Sequence, residues 1–466
     1  MSNQQFPQSG QGYPQQPAQG QQGHPQQPGP GQQGYPQQPG PGQQQYPQGQ
    51  QPHPHQGYAP QGYGQPGYGY GAAPSQPTVA APSAQYAPMP QNQFMPVHPP
   101  APMRRRRIAA EVVLLSVGVA ALLFVVFLFT LSFGTGSTFQ AFVLALIPLL
   151  IVGSTVLLVD RWEPEPRLLL IVAFVWGGGV AVFMSSLLNS VVGPALADAL
   201  GTGLDPDSAS AIFGAPVVEE FWKGLGLLLI FLLRRRQFNG PVDGIVYASV
   251  IAAAFAFVEN IQYFAVYEET VTFTFVIRGL VSPFGHLIYT SCMGLALGLA
   301  SRNRNKLAWM WMMPIGYLLA ALLHGLWNGL ATALGGGVGT LVILVVFVNW
   351  LPLAVWAFIV VWLRRKEIGI LRSRLSEYIP SGWIAPHEVD MLSSLRARKQ
   401  ARDWAGRGGP NGAKAMKEFQ RAAVALAYAR QDLYTGHTGI RARQDEFALL
   451  EEIGRSRAQF RAAVGA

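Results

Sequence analysis

The feature that most constrains this chain is a series of long apolar runs between residues 108 and 363. Crossing ~30 Å of hydrocarbon takes ~20 helical residues. Backbone groups in that layer must be satisfied within their own segment, so such runs fold as helices. Eight runs have this length, at about 108–133, 139–160, 168–192, 211–233, 244–266, 277–300, 308–333 and 338–363. Composition agrees: 49% of residues are hydrophobic and only 12% charged, against roughly a quarter charged in soluble domains. The expected fold is therefore an all-α polytopic membrane protein with about eight transmembrane helices.

The segments between the runs orient them, because short cytoplasmic loops collect Lys and Arg. Arg104 to Arg107 precede the first run, and alternate loops carry Arg161 and Arg167, then Arg234 to Arg236, then Arg302, Arg304 and Lys306, then Arg364 to Lys366. The opposite loops carry Asp198, Asp205, Asp207, Glu268 and Glu269. Both termini are expected in the cytoplasm, with the chain multi-pass in the cell membrane. The same pattern accounts for the net charge of +9 and a pI near 9.7, so no nucleic-acid partner is implied. The single cysteine, Cys292, excludes an intramolecular disulfide framework and a thiol-based zinc cluster.

Two polar regions flank the apolar one. Residues 1–103 contain no Lys, Arg, Asp or Glu and run through near-repeats such as GYPQQPAQGQQ (12–22) and GYPQQPGPGQQ (34–44). Such a segment buries too little apolar surface to offset its ordering entropy, and reads as a disordered cytoplasmic extension. Residues 364–466 hold 19 of the 33 basic residues and show helical patterning, which reads as a small basic helical cytoplasmic tail with a solvated surface. The domain plan is thus 1–103, 104–363 and 364–466, with chemistry only in the middle part.

Charged groups inside a bilayer are costly and usually face the bundle interior. Six ionisable residues lie well inside the runs: Glu219, Glu220, Lys223, Glu259, His286 and His324. Glu111, Asp160, Asp243 and Arg278 lie at run ends, where snorkelling reduces the cost. In APVVEEFWKG, Lys223 stands three and four residues after Glu220 and Glu219, so one ammonium serves two carboxylates. The surplus acid needs another partner, a proton or a metal ion. The next runs add Glu259 and Asn260 (FAFVEN), His286 and Thr290 (PFGHLIYTS), and His324 with Asn328 at i,i+4 (LLHGLWNGL). At 1.5 Å per residue these groups fall at one level, roughly 10–14 Å below the extracytoplasmic surface. Carboxylates, imidazoles and an amide in a low-dielectric cavity are the parts needed for hydrolysis by water. No GxSxG turn and no HExxH helix is present. A proton- or ion-coupled transporter is the alternative, although its usual internal repeat is missing because the polar groups crowd into runs four to seven.

Taken together, the EExxK of Glu219, Glu220 and Lys223, the FxxxEN of Phe255, Glu259 and Asn260, the His286 segment and the HxxxN of His324 and Asn328 resemble the PrsW-type intramembrane proteases. The resemblance covers about 108–363. It extends distantly to the CAAX prenyl endopeptidases, from which the chain departs at Lys223 and Glu259. It implies an intramembrane endopeptidase, classed as a metalloprotease, that cuts a single-pass membrane protein such as an anti-sigma factor in a bacterial membrane. The roles that follow are Glu220 as general base with Glu219 as alternate, Glu259 as a further catalytic acid, and Asn328 on the oxyanion. Lys223 and Asn260 are supporting residues. His286 and His324 polarise water directly, or join Glu220 in holding Zn2+ or another divalent metal. The CAAX relatives point instead to a metal-free glutamate mechanism.

Overall fold

The computed structural model describes residues 101–235, 238, 240–333, 338–434 and 440–465. Nearly all of the expected N-terminal extension, residues 1–100, lies outside the described residues. The described part is helical throughout and contains no strand. Helix α1 (Ala101–Phe133) turns into α2 (Thr135–Asp160) at Gly134, whose φ of 81° falls in the left-handed region that glycine adopts without strain. Then α3 (Arg167–Ala199) passes through a π-helical segment, Trp176–Ala181. A π turn at Ser210–Gly214 leads into α4 (Ala215–Arg234), which is followed by α5 (Pro241–Val266), α6 (Gly285–Ser301), α7 (Trp309–Ala333) and α8 (Leu351–Ser376).

Among the described residues, seven helical segments are long and apolar enough to cross a membrane. The expected count of eight includes α4, which is 20 residues long but carries Glu219, Glu220, Lys223 and Arg234. The most buried of the seven is α5, whereas α1, α2, α7 and α8 present exposed leucine, valine and phenylalanine of the kind that faces lipid. It packs against α6 at very short range: a Cβ on Gly244 would lie 2.0 Å from the carbonyl oxygen of Gly294. Small residues at such crossings let backbones approach, the dominant way helices associate in lipid. The indole of Trp176 on α3 donates to the Trp222 carbonyl (2.8 Å) and the Tyr317 hydroxyl on α7 donates to the Val217 carbonyl (2.8 Å), so α4 is held from both sides.

The sixth run differs from the expected continuous helix over 277–300. Here the chain runs through a π-helical segment, Phe275–Val281, leaves helical geometry at Ser282, and restarts at Gly285. Pro283 explains the break, since proline removes a backbone donor and disfavours the helical conformation in the residue before it. His286 therefore sits in the first turn of a helix rather than in the middle of one.

The C-terminal region is more than a solvated tail. Helices α9 (Pro386–Leu392), α10 (Leu395–Gly406), α11 (Pro410–Tyr434) and α12 (Ile440–Val464) enclose a core of their own, including Leu375, Leu392, Phe419, Leu426 and Ile453. This bundle docks on the membrane helices. Arg398 donates to the Trp162 carbonyl (2.9 Å) with its guanidinium 4.6 Å from the Trp162 ring, and the Arg302 guanidinium lies 4.9 Å from the Tyr428 ring. The snorkelling expectation is corrected for two acids. Asp160 and Asp243 are buried, with the loop 161–166 folded back onto Asp160 through Glu165 and Arg364 of α8 donating to the neighbouring Val159 carbonyl. Asp160 accepts from the Glu165 amide (3.0 Å), and Tyr247 donates to the Glu165 carboxylate (2.6 Å). Glu111 is buried too, paired with Arg234.

Candidate active site

The six intramembrane ionisable residues converge on one hydrogen-bonded network. Helix α4 is amphipathic with its polar stripe turned inward, so Glu219, Glu220 and Lys223 are all buried. Lys223 donates to Glu220 Oε1 (2.8 Å), to Glu219 Oε2 (3.3 Å) and to His286 Nδ1 (2.9 Å), and its ammonium lies 3.8 Å from the Phe255 ring centroid. An ammonium has only donors, so His286 Nδ1 is the acceptor. The proton of that imidazole is then on Nε2, which donates to Glu259 Oε2 at 2.9 Å. His324 Nδ1 lies 3.2 Å from Glu220 Oε1, to which it donates, and Nε2 lies 4.0 Å from Glu219 Oε2.

The two adjacent glutamates are not equivalent. Glu220 is fully buried, and its two oxygens are occupied by Lys223 and His324 on one side and by the Thr290 hydroxyl (2.8 Å) on the other. Glu219 instead lines a cavity of about 660 Å³, together with Glu259, His286, Tyr289, His324 and Asn328. The cavity extends toward Asp207, Tyr267 and Thr332, at the end of the helices opposite the C-terminal bundle. Asn328 sits on its wall with its amide donating to the Ala211 carbonyl (2.8 Å) in the π turn before α4.

Sequence reasoning overlooked three participants. Arg278, assigned to a run end, lies in the π-helical segment before the Ser282–Phe284 break and turns inward toward α5. It donates to Glu259 Oε2 (2.6 Å) and Asn260 Oδ1 (3.1 Å), with its guanidinium 3.8 Å from the Tyr263 ring. Asn189 on α3 donates to Glu219 Oε1 (3.3 Å), so the third run does contribute a polar group. Tyr289 stacks on the His324 ring at 5.1 Å between centroids. The amide in SSLLNS and the phenol in HLIY, both within apolar text, were the available signals.

A divalent cation has a fitting donor set here. One ligand atom each from Glu219, His286 and His324 lie within 4.8 Å of one another. Two imidazoles and a carboxylate are a known three-ligand set for catalytic zinc with an open position. The set contains Glu219 where Glu220 was expected, because Glu220 is enclosed behind it. The Lys223 ammonium contacts two of the three ligands, so it and a cation share donors.

The family described as PrsW family intramembrane metalloprotease matches residues 165–357, which contain every residue of the network. Protease PrsW of Geobacillus kaustophilus is 28% identical over 175 residues, covering 37% of this chain and 72% of that protein. Protease PrsW of Clostridioides difficile is 27% identical over 190 residues, covering 40% and 77%, and that of Oceanobacillus iheyensis is 30% identical over 118 residues, covering 25% and 52%. The chain thus spans about half the length of the last of these. No solved structure matches the chain. The helices of residues 165–357 thus match the PrsW-type family of intramembrane proteases.

Proposed function

We propose that this chain hydrolyses a peptide bond near the extracytoplasmic end of a single-pass membrane protein, with Glu219 receiving the proton of the attacking water. The observation that carries the reading is the position of Glu219: it is the carboxylate of the EExxK pair that faces the cavity, beside His324 Nε2 at 4.0 Å. Glu220 anchors Lys223, Thr290 and His324 from behind. Arg278 and Glu259 orient His286 by fixing which ring nitrogen carries the proton, and Asn260 steadies Arg278. Asn328, on the cavity wall, ties α7 to the turn before α4.

Glu219, His286 and His324 are the residues that would hold a divalent metal ion, with one Glu219 oxygen serving the ion and the other left to take the proton; when bound, the ion would supply polarisation of water and of the scissile carbonyl. With both termini cytoplasmic, the cavity opens to the extracytoplasmic side. The acidic loops around Asp205 and Glu268 then flank its mouth. An anti-sigma factor is the substrate class that the family reading favours, and its cleavage would make the enzyme regulatory. The test is to compare membrane proteins in cells carrying wild-type enzyme or Glu219→Gln: a single-pass protein should accumulate uncut in the variant. Identical membrane proteomes would remove the proposal.

A further inference from the structure

Hydrolysis of an amide needs a donor for the carbonyl oxygen as that oxygen becomes negative, and most donors around the cavity are committed. Lys223 spends its three hydrogens on Glu219, Glu220 and His286, and Thr290 its one on Glu220. The imidazole N–H of His286 goes to Glu259 and that of His324 to Glu220. Asn189, Asn328 and Arg278 are each anchored through part of their donor set, to Glu219, to the Ala211 carbonyl, and to Glu259 and Asn260.

Three cavity-lining side chains keep an unpartnered donor among the described residues, Ser185, Asn349 and Tyr289, and of these Tyr289 is the one whose ring packs on the histidines of the site. Its side chain lines the cavity, and the residue is only 2% exposed. Its hydroxyl nevertheless has no hydrogen-bond partner among the described residues. Buried tyrosine hydroxyls ordinarily find a partner, and one that does not calls for an explanation. The ring is fixed by stacking on His324 with 19° between planes and by an edge contact with His286 at 6.1 Å. It is thus held against both histidines of the site. Gly285, one turn earlier on α6, lies against the hydroxyl: a Cβ there would come to 3.2 Å from the Tyr289 oxygen, tighter than ordinary van der Waals contact. Gly285 is helical, so its backbone does not require glycine, and the missing side chain serves the hydroxyl's surroundings.

We propose that Tyr289 is a catalytic residue whose phenolic O–H donates to the scissile carbonyl oxygen in the tetrahedral state. The inference rests on the protease reading above. In the step itself, a lone pair of the water oxygen forms the bond to the carbonyl carbon. The C=O π pair moves onto oxygen, where Tyr289 donates to it, and the water proton passes to Glu219. On collapse the oxygen pair re-forms the carbonyl and the C–N bond breaks with its pair on nitrogen. That nitrogen takes the proton from Glu219. Tyr289 keeps its own proton throughout, acting as an oxyanion donor.

The experiment uses the full chain reconstituted in liposomes with the purified membrane protein that accumulates in Glu219→Gln cells. Tyr289→Phe should lower kcat by ~10²–10³-fold, the loss typical of a single oxyanion donor, with KM changed less than about threefold. Its thermal midpoint should stay level or rise, because the deleted hydroxyl had no partner to lose. Gly285→Ala, which crowds the hydroxyl, should fall between the two in kcat. Tyr289→Phe with kcat within about threefold of wild type, while Glu219→Gln is inactive, overturns the role of Tyr289 and leaves the protease reading standing. A loss of kcat matched by a loss of thermal stability assigns the ring a structural role and also overturns it. If wild type and Glu219→Gln process the protein alike, the protease reading fails and this proposal fails with it.

Discussion

Lys223 Nζ lies 2.9 Å from His286 Nδ1 while also bonding Glu219 and Glu220, so one buried ammonium joins the EExxK helix to the histidine of another helix. Removing one partner of a buried ion pair leaves an uncompensated charge, which costs ~3–5 kcal/mol. Lys223→Met, close in length and uncharged, should therefore lower the thermal midpoint of the purified protein as well as its turnover. An unchanged midpoint would mean that the carboxylates do not depend on Lys223.

The asymmetry of the glutamates gives a sharper expectation. Glu219→Gln should reduce kcat by ~10²–10⁴-fold, the range for loss of a general base, with little change in thermal stability. Glu220→Gln should lose stability along with activity, because it loosens Lys223, Thr290 and His324 together. Thermal scans beside turnover assays separate the two. The reverse assignment, with Glu220→Gln inactive but fully stable, would contradict the geometry.

Metal retention reads the donor set without reference to activity. Because Lys223 shares Glu219 and His286 with any cation, Lys223→Met should retain more zinc after gel filtration than wild type. Adding His324→Ala to that variant should abolish the gain. Elemental mass spectrometry gives the stoichiometry, and equal zinc in all three proteins would remove Glu219, His286 and His324 as ligands.

On the side of the C-terminal bundle, Glu165 sits in the loop between α2 and α3. Burial pushes its carboxyl up to about 8, helped by the charges of Glu163 and Asp160 and opposed by the hydrogen bond from Tyr247. A raised carboxyl means that the folded state holds a proton that the unfolded state, near 4.5, has released. Its stabilisation is complete below 4.5 and is lost as pH rises toward about 8. Glu165→Gln removes that dependence. The thermal midpoint of wild type should therefore fall relative to Glu165→Gln as pH rises through this window, and then run parallel to it. Curves that are parallel throughout would show that Glu165 ionises freely in the fold.

How much of this was legible in the sequence depends on what kind of fact each residue represents. Glu219, Lys223, Glu259, His286 and His324 stood out because an ionisable group in apolar text has few places to go, and they do share one network. Which of Glu219 and Glu220 faces the cavity is a matter of helix rotation: neighbours point ~100° apart, and only packing against α3 and α7 sets the angle. Arg278 was misplaced because its inward turn toward α5 is tertiary. The same holds for Asp160 and Asp243. They look like water-facing helix ends until the loop 161–166 folds back onto Asp160 and Arg364 of α8 reaches the neighbouring Val159 carbonyl.

The central claim is that Glu219, facing an extracytoplasmic cavity, drives cleavage of a membrane-anchored protein. The most direct measurement is mass spectrometry of the new termini produced when the reconstituted wild-type chain or Glu219→Gln is incubated with the protein that accumulates in the variant's cells. The account predicts a single cut at or just beyond the extracytoplasmic end of the substrate's span with wild type, and none with Glu219→Gln. A cut on the cytoplasmic side, or the same cut made by Glu219→Gln, would contradict it.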